Sequence, residues 1–126
     1  MKGIIVLVVL ALSVLGFSQG MMKLEPATKA DTLRLESMQK AYNKSKARYT
    51  KNPKNAAYKK SFIHDATIYG HESMTSPALP ARIKYKQALH IYREVLAIDP
   101  KNRVAKPESD LIIKIYQQMG REVPKG

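Results

Sequence analysis

The chain reads as an all-α protein built from antiparallel helical hairpins, and three observations predict it. Apolar residues recur three, four and seven apart in four separate stretches. Asn52-Pro53-Lys54-Asn55 and Asp99-Pro100-Lys101-Asn102 are near copies, each ending one such stretch and beginning the next. No segment shows the period-two alternation of a half-buried strand.

The first eighteen residues stand apart from this pattern. Met1 and Lys2 make a positive start, Ile4 to Leu15 is apolar except for Ser13, and Gly16 and Ser18 place small residues where a signal peptidase reads them. About a dozen apolar residues are too few to span a ~30 Å hydrocarbon layer comfortably. Residues 1–18 therefore read as a cleavable signal peptide, with cut before Gln19, and the protein is expected to be secreted or periplasmic. An uncleaved membrane anchor is the alternative.

A leader over 19–27 contains Pro26, and a helical domain is predicted over 28–120. Its first helix spans 28–51, with Leu35, Met38, Tyr42 and Tyr49 on one face, Asp31 early and lysines late, as the helix dipole favours. Pro53 stops it. A second helix runs from about 55 to 70, with Tyr58, Phe62, Ala66 and Tyr69 in a stripe and Gly70 as the expected cap. Residues 72–80, with Pro77 and Pro80, read as a loop. The third helix, 81–98, carries Tyr85, Ala88, Leu89, Tyr92 and Leu96. The fourth, about 105–119, tolerates Pro107 in its first turn and ends at Gly120, with a tail over 121–126.

The two turns lie 100 − 53 = 47 residues apart, within the range of stacked helical hairpins. Ala88, Tyr92, Val95 and Pro100, with Asn102 beyond them, follow the small, aromatic, small, proline spacing of a repeat's second helix, and Tyr116 to Arg121 is similar to the end of a first helix. On these residues the chain resembles tetratricopeptide-repeat proteins, as about two units over residues 41–120. In the first unit Ser45 and Arg48 stand at the aromatic and second small positions, and the 47-residue offset exceeds the family's 34 by 13, assigned to the loop at 72–80. The resemblance implies a superhelix with a groove lined near Tyr58, Phe62 and Tyr69 and from Leu111 to Tyr116, and a protein or peptide partner. Two units alone also admit a homo-oligomer. A four-helix bundle, in which the repeated tetrapeptide is simply a good interhelical turn, is the alternative architecture.

Chemistry is harder to find. The chain has no cysteine, which excludes disulfides, thiolate zinc sites and cysteine nucleophiles. No serine sits in a nucleophile elbow, and no glycine cluster makes a phosphate loop. His64, Asp65, His71 and Glu72 are the closest approach to a metal or acid-base set, but their spacing matches no zinc helix, and they read as exposed helix residues. The expectation is a protein that is not an enzyme and carries neither metal nor cofactor.

Charge is the more informative feature. Lys and Arg number 22 against 10 Asp and Glu, a net charge of +12, or 12 − 1 = +11 once Lys2 leaves with the signal. Between Ser37 and His64 there are eight bases and no acid. Lys40, Lys44, Arg48 and Lys51 fall three or four apart, and Lys54, Lys59 and Lys60 carry the basic run through the turn. Like charges at that spacing repel by a few tenths of a kcal/mol per pair, so the stripe does not serve helix stability. It is a candidate patch for an anionic membrane or polymer, set against a face that merely keeps the protein soluble. Nucleic acid is the least favoured anion, since Tyr42, Tyr49 and Tyr58 have the spacing of core residues rather than of stacking platforms.

Overall fold

Four helices account for about three quarters of residues 26–126, the part of the chain that the computed structural model describes. They are α1 (Lys29–Lys51), α2 (Ala56–Thr75), α3 (Ala81–Ile98) and α4 (Ala105–Gln118), with no strand among the described residues. The expected signal peptide, its cleavage site and most of the leader fall on residues 1–25 and lie outside the described residues.

Local chemistry explains each end. Thr28 opens α1 with a capping box: its hydroxyl accepts the Asp31 N–H at 3.2 Å, while its own N–H donates to the Asp31 carboxylate at 2.9 Å. Those bonds, the backbone one foremost, hold the Asp31 carboxyl below the ordinary range. The two tetrapeptide turns are the same structure twice. Asn52 has φ −135° and ψ 67°, Asp99 φ −132° and ψ 81°. In each, the first residue's carbonyl accepts the N–H of the asparagine three later, at 3.0 and 3.1 Å. That asparagine then caps the next helix: Asn55 Oδ1 accepts from Tyr58 N–H and Asn102 Oδ1 from Ala105 N–H. At the far end Gly120 has φ 64°, and the Gly120 and Arg121 N–H groups return to the carbonyls of Gln117 and Tyr116, a Schellman close.

One predicted boundary is wrong. α2 does not stop at Gly70 but continues through Thr75, so the loop shrinks to 76–80 and part of the extra length assigned to it is helix. Gly70 is buried in mid-helix, and its role is spatial: a Cβ there would stand 2.7 Å from Tyr92 Cε1. Glycine is kept against its helix propensity because the Tyr92 ring of α3 lies against the bare backbone.

Each helix packs chiefly on its neighbours in the chain, α1 on α2, α2 on α3 and α3 on α4. An aromatic cluster fills the first interface, with Tyr49 stacked on Phe62 at 5.4 Å and Tyr42 against Tyr69 at 5.1 Å. Ala66, Ala88, Leu89, Ile91, Tyr92, Val95, Ala105 and Ile112 extend the core across α3 to α4. Each large apolar side chain so buried contributes roughly 1.5–3 kcal/mol.

Two carboxylates clamp helices that are not chain neighbours. Glu94 of α3 accepts the Tyr42 hydroxyl of α1, pairs with Lys46 at 2.6 Å, and meets His90 at 3.2 Å. Glu108 of α4 accepts the Tyr92 hydroxyl and meets His71 Nδ1 of α2 at 2.7 Å. Gln87 bridges Tyr69 Oη and Ser73 Oγ, each at 2.9 Å. Among the described residues no buried side-chain polar atom lacks a partner, as a low-dielectric interior demands.

Two outcomes are expected. Gly70→Ala gains about 1 kcal/mol of helix propensity but overpacks Tyr92, which costs typically 1–3 kcal/mol. Urea denaturation should show a lower midpoint at unchanged slope. Alkaline pH should also destabilise the fold. Burial first, and then the bond to Glu94, pushes the Tyr42 phenol from 10.0 up to about 12, and Glu94 raises the Lys46 ammonium. Across that window the folded chain keeps protons that the unfolded chain has lost, so this stabilisation is complete below pH 10 and disappears as pH climbs through about 12. Stability measured between those limits should fall with pH, and less steeply in Tyr42→Phe.

Candidate functional site

The residues singled out for acid-base or metal chemistry do not converge. His64 Nδ1 contacts the adjacent Asp65 at 3.2 Å, His71 is engaged by Glu108, and Glu72 faces Arg34 at 3.8 Å. Among the described residues no group of three His, Cys, Asp or Glu side chains is placed to hold a metal ion. None of the described helices is long and apolar enough to cross a membrane.

The groove expected on Phe62 and Tyr69 needs correction. Phe62 is 2 % and Tyr69 4 % exposed, and both are core residues locked into the aromatic cluster. Burial also raises the Tyr69 phenol. Only Tyr58, half-buried at the start of α2, reaches the surface. The apolar stripe marked the side of α2 that packs inward, and so it could not also line a groove.

The accessible apolar surface is elsewhere. Ile68 on the outer side of α2 and Val104 at the start of α4 line a hollow of about 400 Å³ with Met38, His71 and Glu108. Further along α4, Leu111 is 46 % exposed, and Met119, 51 % exposed just past its end, lines a separate hollow with Ala81, Arg82 and Tyr85 of α3. Positions 104, 111 and 115 fall within one stripe at ~100° per residue, so α4 has a buried side built on Ile112 and Tyr116 and an apolar flank beside it that carries the exposed Val104 and Leu111.

The repeat-signature positions divide as their burial dictates. Ala88, Tyr92 and Val95 are wholly buried, Pro100 is an exposed turn residue, and Asn102 caps α4. Burial, with Glu108 accepting its hydroxyl, pushes the Tyr92 phenol well above the ordinary range.

All seven residues of the basic patch, Lys40, Lys44, Arg48, Lys51, Lys54, Lys59 and Lys60, are exposed. None forms an ion pair among the described residues, whereas Lys46, on the opposite side of α1, is paired with Glu94. The patch is not one surface, however. Lys44 and Arg48 line a crevice between α1 and α2 with Tyr58, Ser61 and Asp65. Lys59 and Lys60 line a separate hollow with Ile63 and Asp99. Residues 58, 61 and 65 share one flank of α2 at helical spacing, while 59, 60 and 63 fall on the other, so the run splits where α2 begins.

Unrelieved repulsion along α1 is measurable. Lys44→Glu converts two like-charge contacts, with Lys40 and Arg48, into attractive ones and should raise the unfolding free energy by about 0.5–1 kcal/mol, a gain that salt suppresses.

A scan against protein-family models finds no match for the chain, and neither the curated proteins nor the solved structures supply one.

Proposed function

We propose that the protein is an exported, non-enzymatic interaction module, a short array of hairpins resembling tetratricopeptide proteins, that captures a protein partner on the flank of α4 and the adjoining side of α2. The observation that carries this reading is the uncovered flank itself, with Val104 and Leu111 exposed on one side of a helix whose other side is core. Exposed apolar residues grouped on one side of a helix mark an interaction surface. An amphipathic helix laying its apolar face along α4 is the partner geometry that such a flank takes.

A second reading has its own support. Seven exposed bases that form no ion pair among the described residues, in a chain that does pair Lys46, favour attachment to an anionic membrane or polymer.

Capture from an envelope fraction at low and at moderate salt separates the two. Flank binding should persist in moderate salt and disappear in Leu111→Asp, while a variant with Lys44, Arg48 and Lys51 changed to Glu still captures its partner. Binding through the bases should fall steeply with salt and vanish in the triple variant alone. Sedimentation of the purified chain identifies a second copy as the occupant of the flank if association is lost with Leu111→Asp.

A further inference from the structure

We propose that the crevice between α1 and α2 is a binding site for a phosphorylated amino alcohol, whose phosphoryl oxygens are held by Lys44 and Arg48 and whose ammonium is held by Asp65. The inference rests on the anion-binding reading above and narrows it from a surface to a site.

Size comes first. The crevice has a volume of about 200 Å³, some seven waters at ~30 Å³ each, which is room for one head group rather than a length of polymer. Its α1 wall presents Lys44 and Arg48, two cations with no other ionic partner among the described residues. Guanidinium and ammonium side by side match the spread of phosphoryl oxygens. Lys40 and Lys51 continue the same stripe and deepen the positive field at its mouth.

The α2 wall sets the selectivity. Tyr58, Ser61 and Asp65 follow one another along one flank, so they offer two hydroxyls and then a carboxylate. Helices joined by four residues run antiparallel, so Arg48 and Tyr58 lie toward the turn and Asp65 lies at the far end. One turn of helix, ~6 Å, separates Ser61 from Asp65, a distance that a two-carbon spacer between phosphoryl and ammonium groups bridges. His64 contacts only one Asp65 oxygen. A simple anion would leave the other facing its own charge, and a zwitterion satisfies both ends of the crevice.

Calorimetry on the purified chain with O-phosphoethanolamine and with inorganic phosphate tests the assignment. The wild-type protein should prefer O-phosphoethanolamine by about tenfold, the weight of one added charge-assisted contact. Asp65→Asn should abolish or invert that preference, whereas Lys44→Gln and Arg48→Gln should weaken both ligands. All three residues lie outside the core, so the variants should keep the wild-type helix content. Competition by phosphatidylethanolamine vesicles identifies a lipid head group as the source, and its absence with intact binding of the soluble compound identifies a free metabolite. Equal affinity for the two soluble ligands, no binding at millimolar concentration, or a preference that survives Asp65→Asn overturns the site. Salt-sensitive binding to phosphatidylglycerol vesicles in that event leaves the broader anion-binding reading standing, and its loss removes both.

Discussion

Tyr92 is the side chain on which the arrangement of helices depends. Its ring comes from α3 and rests on the bare backbone of Gly70 in α2, and its hydroxyl ends on Glu108 of α4. Glu108 in turn engages His71, one residue beyond that glycine. Three helices thus meet at one wholly buried phenol, and the spacing of α2 from α3 is set by the thickness of an aromatic ring rather than by interdigitating side chains. A buried hydroxyl without its acceptor would cost about 1–3 kcal/mol, so the position of α4 is coupled to that spacing.

The other device is the repeated turn. A residue that donates its N–H to the last helical carbonyls, a proline that forbids continuation, and an asparagine that caps the next helix make a reversal encoded locally. Used twice, it folds α1 onto α2 and α3 onto α4. The connection between α2 and α3 has no such motif and relies on Ser76, buried, and on the paired prolines flanking 78–79. Self-sufficient turns and one ring-thick interface are enough to specify a chain of hairpins without closing α1 against α4.

How much of this was legible follows from where the information is local. Helix periodicity, the two turns and the Gly120 close are encoded within a few residues of where they act, and all were readable. Gly70 was not, because a glycine at the end of an apolar stripe has the same signature whether it caps a helix or admits a ring from another one, and only Tyr92, twenty-two residues away, distinguishes them. Phe62 and Tyr69 failed as groove residues for the opposite reason: periodicity finds the buried side of a helix and is silent on the exposed one. On α4 the expected groove from Leu111 to Tyr116 mixes the two sides, since Leu111 is exposed while Ile112 and Tyr116 are core. The clamping roles of Glu94 and Glu108 are likewise long-range, and nothing near them in sequence announces a tyrosine on another helix.

The acids show how the charge is allotted. With few carboxylates against many bases, placement matters more than number, and Glu94 and Glu108 are spent on Tyr42, Lys46, His71, His90 and Tyr92 at the joints between helices. Lys46 gains a partner because it points from α1 toward α3, where a carboxylate is already needed for Tyr42. Lys40, Lys44, Arg48 and Lys51 lie across the helix from that joint and form no ion pair among the described residues, although Asp65 shares a crevice with Lys44 and Arg48. Among the described residues the buried polar side chains are all satisfied, and a run of cations left without an ion pair lies along the outer side of α1 and the turn that follows it.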